Sequence, residues 1–409
     1  MQKLLICGGG NGTHVMVPVA ARNLACDVVV YTPFDKEAAL LNNRLEASGG
    51  ICTSGALAIE RFRPQLVTCD PARAAENVDM VIMVLPAFAH GRILTQLAPY
   101  LPERVKVGAM PSRSGFKYQA WRILTDLGPK EFTVFGLQTL PWACRLQEPG
   151  GEVQILGIKE GVGAAALPQS QTEPLCDLLG QMLGVNVYPY SNMLALSLAN
   201  VGQIIHPGIM YGLFRHYNGE FFRQDQIPLF YGGVSGSTAA VLHELSSEVQ
   251  LVKNELQCKL GPDISLDIPT VEEWLLQSYA GQIEDNSTLA LAFRTNRAYK
   301  GLKAPMKRLD GKRYVPDFTS RYLVEDVPTG LLITAALGRL AGVATPAIDR
   351  VIAVTSGWMG KEYIKNGSLT GRDIAEARIP QNYGINDTVV LKELLLQGKL
   401  DTAHSNAIG

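Results

Sequence analysis

Short, continuously apolar runs alternate with longer segments of mixed polarity through the first half of the chain. The runs Leu4–Cys7, Asp27–Tyr31, Gln65–Thr68, Met80–Val84, Val105–Gly108 and Phe132–Leu137 have the length and composition of strands buried on both faces. Helical stretches separate most of them, and that alternation predicts a doubly wound parallel sheet. Gly151–Lys159 reads as a further strand and Glu173–Gly184 as a covering helix. Beyond about residue 190 the strand pattern gives way to segments of helical period: Asn192–Ile205, Ser237–Leu260, Val271–Ala280, Asn286–Thr295 and Pro328–Ala341. A chain of 409 residues is too long for one core. The expected architecture is α/β, with a sheet domain over residues 1–190 followed by an all-helical domain over residues 191–409.

The first strand breaks directly into Gly8-Gly9-Gly10-Asn11-Gly12-Thr13, and a helix is predicted over Thr13–Ala21. Strand, glycines and helix in that order let the backbone approach a pyrophosphate, which the helix N-terminus then faces. The spacing Gly8-x-Gly10-x-x-Thr13 departs from the usual fingerprint at its third position, where Thr stands for Gly or Ala. The context nevertheless predicts a Rossmann-type dinucleotide domain, with Gly8, Gly10, Asn11, Gly12 and Thr13 as cofactor contacts. The second strand ends in Thr32-Pro33-Phe34-Asp35-Lys36, the position that meets the adenosine ribose. Asp35 suits a ribose diol and Lys36 suits a 2′-phosphate, so NADH and NADPH both stay open, with a lean to NADH. Pro86 and Ala87, after the strand Met80–Val84, supply a wall for the nucleotide. Because the first strand begins at residue 3, no retained signal or transit peptide is expected.

Hydrophobic residues make up 47% of the chain, charged residues 18%, and the net charge is −1, which argues against nucleic acid or an anionic membrane as partner. The apolar stretch Leu331–Ala344 is interrupted by Arg339, so no membrane span is expected. Seven cysteines without paired spacing predict neither a disulfide framework nor a metal site. A cytoplasmic enzyme with small-molecule partners fits these bounds.

Candidate chemistry gathers at strand ends and near two breaks in the helical half. Arg113 and Arg145 follow strands and are candidate clamps for a carboxylate, which a guanidinium grips bidentately; each is equally a surface ion pair. Thr139 adds a hydroxyl, and His90 is a polar contact or a helix cap. The helix Asn192–Ile205 is expected to stop at His206-Pro207, because proline disfavours helical geometry in the residue before it. There the helix dipole would favour the imidazolium, suiting His206 to proton transfer. Asn200 on that helix is a candidate substrate contact. Asp326 stands where an N-cap for Pro328–Ala341 belongs, and a carboxylate there also suits holding the His206 ring.

These segments together resemble the opine dehydrogenases. The resemblance runs through Cys7–His14, Pro86–His90, Thr139–Arg145, His206-Pro207, Leu229–Tyr231, Thr295–Leu302, Pro316–Phe318, Arg321–Pro328 and Gly360–Tyr363, in order along nearly the whole chain. It implies a Rossmann domain for NADH or NADPH, a helical domain for an amino acid, and reductive condensation of that amino acid with an α-keto acid, commonly pyruvate. It further implies His206 and Asp326 as an acid–base dyad, and Arg321 as the carboxylate-binding arginine of the helical domain. Arg113 and Thr139 then fall at the keto acid, and Trp274 lines the amino-donor pocket, although a core aromatic is an equal reading of Trp274. The rival is a two-domain 2-keto or 3-hydroxy acid dehydrogenase without an amino donor, for which Lys300 would have to serve as the catalytic lysine. A nucleotide-binding protein without catalysis is the remaining alternative.

Overall fold

The computed structural model describes residues 1–400. The chain forms two compact units, Met1–Leu196 joined by the chain from Val389 onward, and Ser197–Thr388. The second unit is thus inserted into the first, where two consecutive stretches were expected. The cause is the last helix, Thr388–Gln397, which buries Val390, Leu391, Leu394 and Leu395. Just after it, a Cβ on Gly398 would lie 2.7 Å from Pro168 Cδ of the first unit.

An eight-stranded sheet forms the centre of the first unit. Its order is Asn186–Pro189, Gly161–Leu167, Phe132–Leu137, Val105–Ala109, Met80–Met83, Lys3–Cys7, Asp27–Tyr31, Leu66–Thr68. Six neighbouring strands, from Phe132–Leu137 to Leu66–Thr68, run parallel, and Gly161–Leu167 pairs antiparallel at the far side. Strand order reverses between Lys3–Cys7 and Met80–Met83, and the carboxyl ends at such a switch point form a ligand crevice. A second, four-stranded sheet of Ile59–Phe62, Ile51–Gly55, Glu152–Ile158 and Trp142–Glu148 was not expected, apart from the Gly151–Lys159 segment. Its short strands alternate only partly, so their period is weak. Val153, Ile155 and Ile51 share one apolar cluster with Val15, Met16 and Val19 of the first helix, Asn11–Leu24. Covered in this way, the helix is buried at every position from Gly12 to Ala21, which explains its lack of a polar face.

The second unit is built mainly from helices, with Gly202–Phe214, Gly236–Leu260, Leu332–Ala341 and Pro346–Trp358 at its centre. A two-stranded ribbon, Met306–Asp310 with Arg313–Pro316, is its one regular β element among the described residues. Cβ atoms on Gly208 and Gly212 would lie 2.5 Å from side-chain atoms of Leu242 and Thr238, so both glycines permit close approach of two helices. One expectation fails here. The helix predicted over Asn192–Ile205 is interrupted after Leu198 and restarts at Gly202, so Pro207 falls in its second turn and His206 within the helix, not at its C-terminus. The restart places the proline in the second turn, where it forgoes the helical bond to the Gln203 carbonyl. The argument from the C-terminal dipole therefore does not apply to His206. Taken together, Met193–Phe214 has mean hydropathy 1.3 and is long and apolar enough to cross a membrane, but 78% of its apolar window is buried in the protein.

Candidate functional site

In the first unit the glycine turn is shaped by what surrounds it. Gly8 has φ +128, and a Cβ there would sit 2.8 Å from the Val84 carbonyl oxygen. The backbone of the turn can therefore lie against the Met80–Met83 strand end only with glycine at that position. A Cβ on Gly10 would meet nothing within 4 Å, so the outer face of the turn is open. The helix that follows has no side-chain cap and no acidic residue in its first turn. Thr13 Oγ1 is buried without a hydrogen-bond partner beside Gly8. An open cradle, an uncapped helix N-terminus and an unpartnered hydroxyl fit a dinucleotide pyrophosphate.

Not every expected contact faces this cradle. The Asn11 amide is held by the neighbouring sheet: its Nδ2 donates to Cys144 O at 3.4 Å, and its Oδ1 accepts from Leu146 N at 3.2 Å. His14 fixes the turn from behind, with Nδ1 bonded to Gly10 O at 2.9 Å and Nε2 accepting from Gly150 N at 2.9 Å. Its burial lowers the imidazole pKa, opposed by the Gly10 bond. Pro86 and Ala87 enter a short 3-10 turn after the Met80–Met83 strand, and Ala87 is buried. His90 is buried too, with Nε2 on Leu85 O at 3.0 Å and its ring edge-on to Phe116.

At the end of the second strand, Thr32 is buried and its hydroxyl donates to Glu37. Asp35 and Lys36 are exposed, and the Asp35 carboxylate raises the pKa of the Cys69 thiol. Glu37 was not anticipated. A Cβ on Gly9 would lie 2.4 Å from Glu37 Oε1, so this carboxylate lies against the glycine turn itself. The signal was a third acidic or basic side chain in the first turn of the Asp35–Ser48 helix, one residue beyond the pair considered.

The same unit brings Thr139 together with a lysine that sequence reasoning passed over. Lys159 Nζ donates to Thr139 Oγ1 at 2.8 Å. Desolvation lowers the Lys159 pKa, and the Arg113 guanidinium lowers it further. Two cations and a hydroxyl are thus gathered within one unit, as an anion site requires. Arg113 adopts φ 52, an uncommon backbone conformation for a residue with a side chain. Arg145 lies exposed on the antiparallel ribbon opposite Gln154. Lys117, behind this region, is fully buried, donates to Met193 O at 3.3 Å, and has its pKa pushed down to about 7 by desolvation.

In the second unit, His206 and Asp326 meet across 120 residues of sequence: Nδ1 lies 2.8 Å from Asp326 Oδ2. Asp326 does not cap the following helix, which was one reading of it. It precedes a wide π-type turn, Val327–Leu331, in which Thr329 leaves helical geometry, and such turns recur at functional sites. The carboxylate side chain is 2% exposed and the imidazole 22%, so the pair is shielded on one side and accessible on the other. An ionised Asp326 requires the hydrogen on Nδ1, leaving Nε2 to exchange protons. The ring is fixed by stacking on Tyr322, with centroids 4.2 Å apart and planes 13° apart.

Aromatic contacts continue outward from that ring. The Tyr231 hydroxyl is 3.4 Å from His206 Nε2, and Tyr231 stacks on Tyr299 at 3.9 Å. Tyr299 packs against Tyr279 at 4.9 Å, and Tyr279 against Trp274 at 5.9 Å. Trp274 is therefore joined to the histidine through one continuous aromatic wall, though its own exposure is intermediate. Arg321 donates through Nε and Nη2 to Glu325 Oε2 at 2.8 and 2.6 Å. Glu325 is buried and opposes the desolvation that lowers the buried Arg378 to about 10. Lys300, which the rival reading needs, follows the short turn Arg297–Tyr299 as an exposed residue.

A switch-point glycine turn on a parallel sheet, with an imidazole–carboxylate pair held in a helical unit, fits a nicotinamide-dependent oxidoreductase. Residues 189–359 match the family described as NAD/NADP octopine/nopaline dehydrogenase, alpha-helical domain. The chain is 35% identical to octopine dehydrogenase of Pecten maximus, over 94% of this chain and 97% of that one. It is 33% identical to tauropine dehydrogenase of Arabella iricolor, covering 94% and 98% of the two chains. The solved structure of octopine dehydrogenase with NADH and L-arginine superposes with a TM-score of 0.89 at 32% identity, covering 98% of this chain and 99% of that one. The chain belongs to the opine dehydrogenase family. It is an NAD(P)H-dependent oxidoreductase acting on a CH–NH group, condensing an amino acid with an α-keto acid.

Proposed function

We propose that the enzyme joins an amino acid to pyruvate with NADH as reductant, using His206 as the acid–base residue and Asp326 as its orienting carboxylate. The 2.8 Å bond between a buried carboxylate and a partly accessible imidazole carries this reading. Condensation needs a base to uncharge the amino group, then an acid to expel water from the carbinolamine. His206 serves both needs, because Asp326 holds one tautomer and stabilises the cation that forms. The resulting imine accepts a hydride, which the reduced nicotinamide supplies when bound.

Gly8, Gly10, Gly12 and Thr13, with the backbone of Asn11, would hold the pyrophosphate, and Pro86 and Ala87 would flank the nucleotide. Each substrate brings a carboxylate. Arg113 and Thr139, aided by Lys159, suit the keto acid, and Arg321 suits the amino acid, with Trp274 beside the donor side chain. Arg321 uses two of its nitrogens on Glu325, and Nη1 is not part of that pair. Pyruvate as keto acid is supported by the solved structure of octopine dehydrogenase with NADH and pyruvate, at 32% identity. Seven cysteines outside any disulfide support a cytoplasmic setting.

NADH is favoured over NADPH by Glu37, whose carboxylate beside Gly9 suits a ribose diol and repels a 2′-phosphate. Replacing it with Gln should shift the ratio of NADH to NADPH affinity, read by nucleotide fluorescence, by about tenfold toward NADPH, or ~1.4 kcal/mol. An unchanged ratio removes Glu37 from cofactor choice. For the reaction itself, NADH oxidation should require pyruvate and an amino acid together across a panel of donors. Oxidation with pyruvate alone would favour a simple keto-acid reductase.

A further inference from the structure

Reductive condensation draws protons from two sources. His206 takes one from the substrate ammonium, and that proton leaves in the expelled water. Protonating the secondary amine of the product then calls for one more, which neither substrate supplies. Asp326 occupies Nδ1, so every proton that His206 exchanges passes through Nε2.

The Tyr231 hydroxyl stands 3.4 Å from that nitrogen. Tyr231 is 9% exposed, and its ring is clamped by Tyr299, by Phe293 stacked at 6.2 Å, and by Phe230 edge-on at 4.9 Å. A phenylalanine would satisfy all three contacts; the hydroxyl calls for a separate reason. The Tyr322 phenol lies close enough to act on it electrostatically, and Tyr322 is only half-buried. From Asp326 outward, a carboxylate, an imidazole and the Tyr231 phenol are joined in series, and the Tyr322 phenol beside them is partly open to solvent.

We propose that Tyr231 is a positioning and proton-relay residue, carrying protons from the Tyr322 hydroxyl to Nε2 of His206. The proposal rests on the acid–base reading of His206. In each transfer the Tyr231 O–H bond breaks as Nε2–H forms, the Tyr322 proton passes to the Tyr231 oxygen, and water restores Tyr322. No electron pair leaves the chain of donors, and one solvent proton enters per turnover. The titratable groups around the relay are His206, Asp326, Tyr279, Tyr299 and Tyr322. Burial raises the phenols of Tyr231 and Tyr322 above their ordinary range, so each keeps the hydrogen it must hand on.

The test is Tyr231→Phe, which keeps the ring contacts and removes the hydroxyl. At saturating substrates, kcat should fall by about tenfold, less than the 100- to 10,000-fold typical of losing an acid–base group outright. NADH affinity by fluorescence and both substrate KM values should stay near wild type. The solvent deuterium isotope effect on kcat should grow, and added imidazole should restore turnover in proportion to its concentration. Wild-type kcat and isotope effect would overturn the relay, and so would a loss of kcat with neither isotope change nor rescue. His206→Gln separates the two readings. An inactive His206→Gln beside an unaffected Tyr231→Phe sinks the relay alone, whereas an active His206→Gln sinks the acid–base role as well. Should Tyr231→Phe fail to fold, Tyr322→Phe interrupts the same path and keeps the ring that stacks on His206.

Discussion

Two histidines, one in each unit, set a structural imidazole beside the one proposed to react. Both have partners at both ring nitrogens. His14 spends them on the backbone, Gly10 O and Gly150 N, in a fully covered helix. His206 spends one on a buried carboxylate and meets the other partner, a phenol that can itself exchange protons, at a longer 3.4 Å. Protonating Nε2 of His14 would break the bond it accepts from Gly150 N, and burial lowers the imidazole pKa, so His14 serves as a strut behind the glycine turn. A carboxylate on one nitrogen and a phenol hydroxyl on the other suit His206 to the proton transfer proposed for it. Burial alone does not make the distinction; the chemistry of the partners does.

The contrast can be broken most forcefully at His206. His206→Gln should cost about 100- to 10,000-fold in kcat and leave NADH binding intact, measured by steady-state kinetics and fluorescence titration. Asp326→Asn keeps the shape but loses the charge that stabilises the imidazolium, and a loss in kcat at the lower end of that range, about 100-fold, is expected, with little change in KM. The opposite pattern is expected at His14. There His14→Phe should leave kcat of the folded enzyme unchanged but lower unfolding free energy by about 2 kcal/mol in denaturant titration, since two backbone groups lose buried partners.

The smallest effect is a pH dependence. Burial lowers the folded-state pKa of His14 below its value of about 6.5 in the unfolded chain. The unfolded chain therefore binds the proton more readily, and stability declines as pH falls through that value, levelling off below the folded pKa. Comparing wild type with His14→Phe between about pH 7 and pH 5 isolates this term, because the variant lacks it. A parallel decline in both proteins would show that His14 is not held neutral.

The parallel strands were legible because each is a continuous apolar run followed by a turn, and the glycine turn because it follows the first of them. The four-stranded sheet was largely illegible, since segments such as Ile59–Phe62 alternate too briefly to show a period. Pro207 misled for a specific reason: proline marks a helix end only when no new helix begins a few residues before it, and here one begins at Gly202 after the break that follows Leu198. His206 and Asp326 were visible as residue types, and the resemblance paired them, but their 120-residue separation hides the contact from any local pattern. Tyr231 and Lys159 were passed over because their contacts with His206 and Thr139 exist only in the tertiary structure, and Glu37 because its place against Gly9 does too, although it stands one residue beyond the charged pair considered.

The way the chain leaves its first unit and comes back at Val389 has a bearing on how the protein is made. Leu391, Leu394 and Leu395 complete a core whose other members are synthesised some two hundred residues earlier. On the ribosome, the nucleotide-holding half must wait with an unfilled apolar gap while the inserted helical half emerges and folds. A fragment cut near residue 196 would share that gap permanently, so an isolated sheet unit should be tested as a fusion that carries the final helix.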